Sequence, residues 1–386
     1  MTYRFADCVL DPSRRRLMRA GAPRDVEPQV FDLLVLFADN AGRALGKQEI
    51  VDAIWHGRAI SDAALTSRIK AARSAIGDSG REQRLIRTLH RVGYLFDTEV
   101  EIEGETTPPA PPVNPSEPRT EVRFFRDRAG RSIAYGVRGE GPLVILPAWW
   151  ISNVAKDEED PDFASFIAAL GEGMTLVRYD RPGAGMSDPD DAERSLADEA
   201  DLLDDLVAEL GAEQYDMFAM SAAGPVAVVH AAAHPDRVRR ICFYGTFLNG
   251  AELGPDEVLR ALVSTVRAHW GMGSRVLADV FLPHEDGASI DNFARMMRTA
   301  ASAETAARLL ALTYRMDASA HVGGVRAPSL VIHRKKDRGV PAQSARDFAA
   351  GLKDARLVML DGAAHPPWIG GTQVANLANR FLRGLD

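Results

Sequence analysis

The sequence predicts an α/β chain made of two unlike domains. The first is a small helix-turn-helix unit closed by a hairpin, and the second is a doubly wound, mostly parallel sheet. Three observations carry this. From residue 121 onward, short apolar runs alternate with helical patterns, the rhythm of strands joined by crossover helices. Before that, residues 28–76 hold three helical patterns and 84–96 a basic hairpin pattern. Between the two, residues 106–120 contain six prolines and almost no apolar side chains, so they read as an extended, semi-rigid linker. The expected domains are 1–103 and 121–386, joined by a linker over 104–120.

Composition narrows the class. A chain of 386 residues, 46% hydrophobic, has room for two or three domains and a large core. It has no apolar run of 18 residues and no signal peptide behind Met1, so a cytoplasmic protein without a membrane partner is expected. Cys8 and Cys242 are the only cysteines, which fits a reducing compartment and excludes a disulfide framework or a cysteine-based zinc site. The net charge of −8 conceals an asymmetry: residues 1–96 carry 16 Lys/Arg against 11 Asp/Glu, and residues 97–386 carry 30 against 43. A basic unit ahead of an acidic one points to a polyanion partner for the first only.

In the first domain, residues 3–10 and 15–20 alternate weakly and read as short strands. Pro28 opens a helix with Phe31, Leu34, Val35 and Ala38 at helical spacing, and Gly42 stops it. A second helix is expected over 47–55, and a third from a Ser61 or Asp62 cap to Ile76. On the third, Leu65, Ile69, Ala72 and Ile76 form one apolar stripe, which leaves Thr66, Ser67, Arg68, Lys70 and Arg73 facing away. The hairpin over 84–96 turns near His90 and Arg91 and adds Arg87, Thr88 and Tyr94. A helix with a polar, basic outer face fills a major groove about 12 Å wide, and a basic hairpin reaches the neighbouring backbone or minor groove. From charge alone, a merely solvated helix face reads as well.

The runs Ala-Gly-Arg-Ala-Leu-Gly-Lys-Gln-Glu-Ile-Val-Asp-Ala-Ile-Trp at 41–55 and Ile-Arg-Thr-Leu-His-Arg-Val-Gly-Tyr-Leu-Phe at 86–96 resemble the OmpR/PhoB-type winged helix. The resemblance covers residues 3–97 and rests most on Trp55 and Gly93-Tyr94. It implies a winged helix-turn-helix domain that binds double-stranded DNA, with a recognition helix at 62–76 and a wing at 87–94. His90 stands where many members carry a wing arginine, with Arg91 beside it. The phosphorylated receiver domain usual in the family is absent from this sequence.

In the second domain, strands are expected within 121–136, at 142–146, 174–179, 215–219, 240–244, 329–333 and 356–360, with a helix over 198–210. Ligand sites of such sheets lie at the carboxyl ends of the strands. Three chemistry-bearing residues follow strands. Ser221 stands in Phe218-Ala219-Met220-Ser221-Ala222-Ala223-Gly224, a strand end, a sharp turn and a helix of small residues. Its pattern is G-x-S-x-G with alanine, the smallest substitute, at both glycine positions. Asp337 follows the run 330–334, and His365 follows 356–360. Residues 248–320, with Trp270, Met272, Met296 and Met297, break the rhythm and read as a helical lid over the site.

The order Ser, Asp, His resembles the α/β-hydrolase family. So do Asp180-Arg181-x-Gly-x-Gly-x-Ser187-Asp188 and His234-Pro235-Asp236-Arg237-Val238. This resemblance covers 121–386. It implies a nucleophile at Ser221, an acid at Asp337 and a base at His365, with an oxyanion hole from the backbone N–H groups of Ala222 and Trp149. Many members have His-Gly where this chain has Pro147-Ala148. Trp149, Trp150, Met220 and Trp368 flank the expected turns and are candidates to line the pocket, while His333 reads as a structural neighbour. This chemistry needs no metal and no cofactor.

Together these readings predict a one-component transcription regulator whose hydrolase domain binds and cleaves a small apolar acyl ligand such as an ester or lactone. The alternatives are a serine hydrolase with an accessory localising domain, and a receptor of hydrolase fold without turnover. A homodimer is expected because one winged helix reads few base pairs.

Overall fold

A computed structural model describes residues 2–12, 14–42, 44–47, 50–51, 54, 60–89, 93–98, 100–103 and 120–385. The chain divides into two compact units, Met1–Glu117 and Pro118–Asp386. Of the stretch expected as the linker, 104–120, residues 104–119 lie outside the described residues, as do Trp55, His90 and Arg91.

The first unit opens with a sheet in the order β4-β3-β2-β1-β8, from β1 (Thr2–Phe5), β2 (Cys8–Asp11), β3 (Arg16–Arg19), β4 (Ala22–Arg24) and β8 (Glu101–Glu103). Residues 3–10, expected as one strand, are a hairpin that turns at Ala6 with a positive φ of 46°. Tyr3, Phe5, Cys8 and Leu10 are all buried, and the three-residue step from Phe5 to Cys8 is the trace of that turn. The helix Pro28–Asp39 has proline in its first turn, where the missing N–H costs nothing, and buries Val30, Phe31, Leu33, Leu34, Phe37 and Ala38. Of the expected second helix, Lys47, Ile50, Val51 and Ile54 are helical, and the rest of 47–55 lies outside the described residues.

The helix Asp62–Ala75 is capped by Ser61, whose side chain accepts from the Ala64 N–H at 3.2 Å. Its stripe of Leu65, Ile69, Ala72 and Ile76 is buried against the first helix. A second small sheet pairs β5 (Ala44–Gly46) with β7 (Gly93–Phe96), and β7 with β6 (Ile86–Leu89). Gly93 is required there: its φ is +149°, and a Cβ would meet the Leu45 carbonyl oxygen at 1.9 Å.

The second unit is an eight-stranded sheet in the order β16-β15-β14-β13-β11-β12-β10-β9. Its strands are β9 (Glu121–Arg126), β10 (Ser132–Arg138), β11 (Leu143–Leu146), β12 (Thr175–Tyr179), β13 (Tyr215–Met220), β14 (Val238–Tyr244), β15 (Ser329–Arg334) and β16 (Ala355–Leu360). The six strands from β11 to β16 pair in parallel, and β9 and β10 are antiparallel additions. The central strands are apolar on both faces because helices cover both, so they read as continuous runs rather than alternations. Helices Asp256–Ala268, Trp270–Phe281, Gly287–Ala300 and Ala303–Arg315 occupy the segment expected as a lid. Met272 there is 52% exposed.

Strand register decides where the chemistry falls. Met220 at the end of β13 lies beside Tyr244, and Tyr244 beside Ile332. The residues after β13, β15 and β16 therefore emerge at one edge of the sheet. β11 sits between β12 and β13, so the chain order reverses there, the position where ligands enter open α/β sheets.

Candidate functional site

Ser221 leaves β13 on a turn with φ +51°, a conformation that an L-residue adopts only when its surroundings enforce it. The enforcement is local. The Ser221 N–H donates to the Tyr244 carbonyl at 3.0 Å, and the Thr246 hydroxyl donates to the Ser221 carbonyl at 2.6 Å. The helix Ala223–Ala233 then starts at once, against β14 and its following loop. The close approach falls at Gly224, where a Cβ would lie 1.8 Å from Thr246 Oγ1. Ala219 and Ala223, which stand at the usual glycine positions, are both fully buried.

The structure brings the three predicted residues together. His365 Nε2 is 2.9 Å from Ser221 Oγ, and His365 Nδ1 is 2.8 Å from Asp337 Oδ2. The other Asp337 oxygen accepts from the Gly339 and Val340 N–H groups at 2.8 and 3.1 Å. Burial pushes this carboxyl up, but His365, His333 and the Val340 N–H outweigh it and hold it below the ordinary aspartate value. A carboxylate at Nδ1 leaves Nε2 as the ring nitrogen able to take a proton from Ser221. His333 is buried and faces the Val340 carbonyl at 3.1 Å, with burial lowering its pKa. It supports the Asp337 turn and does not reach Ser221.

Ser221 and His365 open into a cavity of about 700 Å³ including its mouth. Trp149, Trp150, Met220 and Trp368, all expected at the pocket, line it. The helical segment contributes Phe281, Phe293, Met296 and Met297. Ala222 is buried at the start of the helix after Ser221, and Trp149 lies in the loop after β11.

Several residues position this site in roles that the sequence reading did not assign. The buried Arg334 donates to the carbonyls of Ala364 and Pro366 at 2.8 and 2.9 Å and of Ile369 at 2.5 Å, gripping the loop that carries His365. The only sequence signal was a charge inside an apolar strand run. Phe281, at the end of its helix, accepts the His365 N–H at 2.7 Å and lays its ring 5.0 Å from the imidazole. Arg181 pairs with the buried Glu199 at 3.0 Å and donates to the Ala148 carbonyl at 3.0 Å, fixing the loop that holds Trp149. Asp180 accepts from Ser152 Oγ at 2.7 Å and from the Val154 and Met186 N–H groups at 3.1 Å. Asp157, on the pocket wall, is ion-paired to Arg178 at 2.9 Å, yet burial pushes its carboxyl up to about 7.

In the first unit the expected DNA-facing set divides. Thr66, Ser67 and Lys70 are exposed on the helix Asp62–Ala75. Arg68 is half-buried and ion-paired to Glu27, and Arg87 is exposed and paired to Asp97 at 2.7 Å. Arg73 corrects the expectation: it is 7% exposed and turns inward, donating twice to the Ile86 carbonyl at 2.9 and 2.7 Å and once to Thr88 Oγ1 at 2.9 Å. Thr88 is exposed but holds Arg73 through that hydroxyl. Tyr94 is a second correction: at 6% exposed it belongs to the core, since both faces of β7 are covered. Among the described residues, no helix is long and apolar enough to cross a membrane.

Comparison with known proteins follows the same division. The family described as "Transcriptional regulatory protein, C terminal" matches residues 21–96, and that described as "Serine aminopeptidase, S33" matches 162–369. Transcriptional activator CadC of Escherichia coli (strain K12) is 28% identical over 123 residues, which is 29% of this chain and only 24% of that protein. A pimeloyl-[acyl-carrier protein] methyl ester esterase of Xanthomonas campestris pv. campestris (strain B100) is 28% identical over 273 residues, 64% of this chain and 98% of the esterase. The solved structure of a hydrolase from Pseudomonas aeruginosa PA01 superposes with a TM-score of 0.59 at 23% identity, over 68% of this chain and 98% of that one. The second match spans more than half of the chain, and the first falls within the unit before it. The chain therefore belongs to the serine aminopeptidase S33 family of α/β hydrolases and carries an OmpR/PhoB-type DNA-binding domain ahead of its hydrolase domain.

Proposed function

We propose that this protein is a one-component transcription regulator whose hydrolase domain binds a small apolar ester-like ligand and cleaves it. The observation that supports the reading most is the hydrogen-bonded chain Ser221–His365–Asp337 opening into an aromatic, mostly apolar pocket. A DNA-binding module on the same chain gives that pocket something to control. In this mechanism His365 Nε2 takes the Ser221 proton as Oγ attacks the acyl carbonyl carbon. The Ala222 and Trp149 N–H groups receive the developing oxyanion, a contribution of about 2.7–4 kcal/mol per donor. The imidazolium returns its proton to the leaving oxygen, and water then hydrolyses the acyl-serine by the same route. The esterase similarity supports a carboxylic ester as the substrate class.

The test has two arms on the full chain. A fluorophosphonate probe is expected to label the wild type and to fail on a folded Ser221→Ala variant; label that persists in the variant would place the nucleophile elsewhere. Affinity for promoter DNA is then measured with and without short-chain esters. Ligand coupling of a usual size, about 1–3 kcal/mol, changes it about 5- to 150-fold. Equal affinities across all bound esters would leave a hydrolase that does not regulate.

A further inference from the structure

We propose that Asp204, His230 and His234 form a binding site for a zinc-type divalent transition metal, on the helices behind the sheet and apart from the catalytic residues. Asp204 lies on the helix Leu196–Glu209, His230 on Ala223–Ala233, and His234 caps the end of that second helix. Residues 230 and 234, four apart, present both imidazoles on one side. His230 Nδ1 lies 2.6 Å and His234 Nε2 3.0 Å from Asp204 Oδ1, and the three donor atoms all fall within 4.8 Å of one another.

Two observations separate this cluster from an ordinary surface ion pair. His230 is 1% exposed, and its Nδ1 has no hydrogen bond of acceptable geometry among the described residues despite the nearby carboxylate. The 2.6 Å contact is out of line for a regular N–H donor to Asp204, and in the tautomer with its proton on Nε2 the Nδ1 lone pair and the carboxylate oxygen converge on one point, which a cation resolves. The other nitrogen, Nε2, is engaged by the Tyr215 hydroxyl. Ligating histidines use their second nitrogen in this way, to fix the tautomer and the ring. The nearest cation, Arg237, is turned to the Ala212 carbonyl and the Tyr215 ring.

Two imidazoles and one carboxylate suit zinc, cobalt or nickel rather than magnesium or calcium. Asp204 and His234 are each about one-third exposed on their side chains, 33% and 30%, which leaves a fourth position for water. The site sits at the far end of the helix that begins at the serine turn. At about 1.5 Å per residue, that helix separates metal and nucleophile by well over a bond length. The ion clamps two helices and takes no part in acyl transfer.

The test uses the full chain, stripped with chelator and titrated with Zn²⁺, and with Co²⁺ as a coloured reporter. The wild type is expected to bind one equivalent with a visible Co²⁺ spectrum. At free zinc one hundredfold above Kd, the hydrolase-domain Tm rises by about 5–10 °C. Asp204→Asn and His234→Gln are expected to abolish both signals while fluorophosphonate labelling persists as the control for folding. Tyr215→Phe is expected to weaken binding about 10- to 100-fold. A wild type that binds neither ion, or binding that survives either ligand substitution, overturns the site and leaves Asp204 as the hydrogen-bond partner of His234 beside a Tyr215–His230 pair.

Discussion

Arg73 is the residue on which sequence and structure disagree most sharply, and the disagreement is measurable. On a helical wheel it belongs to the DNA-facing set; in the structure it ties the helix Asp62–Ala75 to the hairpin through the Ile86 carbonyl and Thr88. Arg73→Ala removes three hydrogen bonds from a charged donor and leaves a buried carbonyl without a partner. A charged hydrogen bond contributes about 1.5–3 kcal/mol, and an orphaned buried acceptor costs about 1–3 kcal/mol. These overlap rather than add, so the expected loss is about 2–3 kcal/mol. Amide hydrogen exchange across 62–96 in the full chain reads this locally, as exchange about 30- to 150-fold faster where opening is cooperative. Lys70→Ala, on the exposed face, is the contrast: exchange is unchanged, promoter affinity falls, and the slope of log affinity against log salt drops by about 0.9 if Lys70 meets one phosphate. If Arg73→Ala leaves exchange untouched and lowers the salt slope as Lys70→Ala does, Arg73 faces DNA and the inward placement is wrong.

Three further substitutions probe the hydrolase domain. Phe281→Ala removes the ring beside His365, and an imidazole so freed is expected, under the proposed mechanism, to slow fluorophosphonate labelling about 10- to 100-fold; an unchanged rate would show that His365 is held without it. Arg334→Met strips the donors from the Ala364, Pro366 and Ile369 carbonyls, so the domain is expected to lose about 3 kcal/mol in urea unfolding along with its labelling; a stable, fully labelled variant would mean that the loop holds itself. Asp157 carries a pH signature: the unfolded carboxyl ionises from about 3.8 upward while the buried one keeps its proton to about 7, so the wild type loses stability relative to Asp157→Asn as pH rises through that window. A stability difference constant from pH 4 to 8 would show Asp157 ionised against Arg178 throughout.

What was legible in the sequence follows from where each residue's partners lie. The central strands announced themselves because a parallel strand covered on both faces must be apolar along its length, as Leu143–Leu146 and Tyr215–Met220 are nearly throughout. Ser221, Asp337 and His365 were legible because each comes shortly after an apolar strand run, and strand register then delivers all three to one edge. Arg73 was not, because it borders the buried stripe and its direction depends on a carbonyl thirteen residues away in a different element. Tyr94 was misread because β7 alternates weakly and is buried on both faces. Phe281 left no trace because its partner, His365, is brought near only by the tertiary fold.

Four buried polar groups share one task that the sequence did not show. Arg181 holds the Ala148 carbonyl, Asp180 the segment 152–154, Arg334 the segment 364–369, and Asp337 the turn at 339–340. Each is buried, and burying a charge is costly unless its hydrogen bonds are made. Apolar packing alone would hold these loops with less directional precision, because it lacks the fixed angles of a hydrogen bond to a named carbonyl or N–H. The division of labour is then physical. Buried charges fix the backbone of the loops that carry Trp149, Asp337 and His365, and this leaves the aromatic and methionine side chains around Ser221, apart from the Phe281 ring beside His365, without a structural duty toward those loops. A pocket wall of that kind, part from the sheet edge and part from Phe293, Met296 and Met297, can adapt to the apolar acyl chain of the proposed ligand while Ser221 and His365 stay in place.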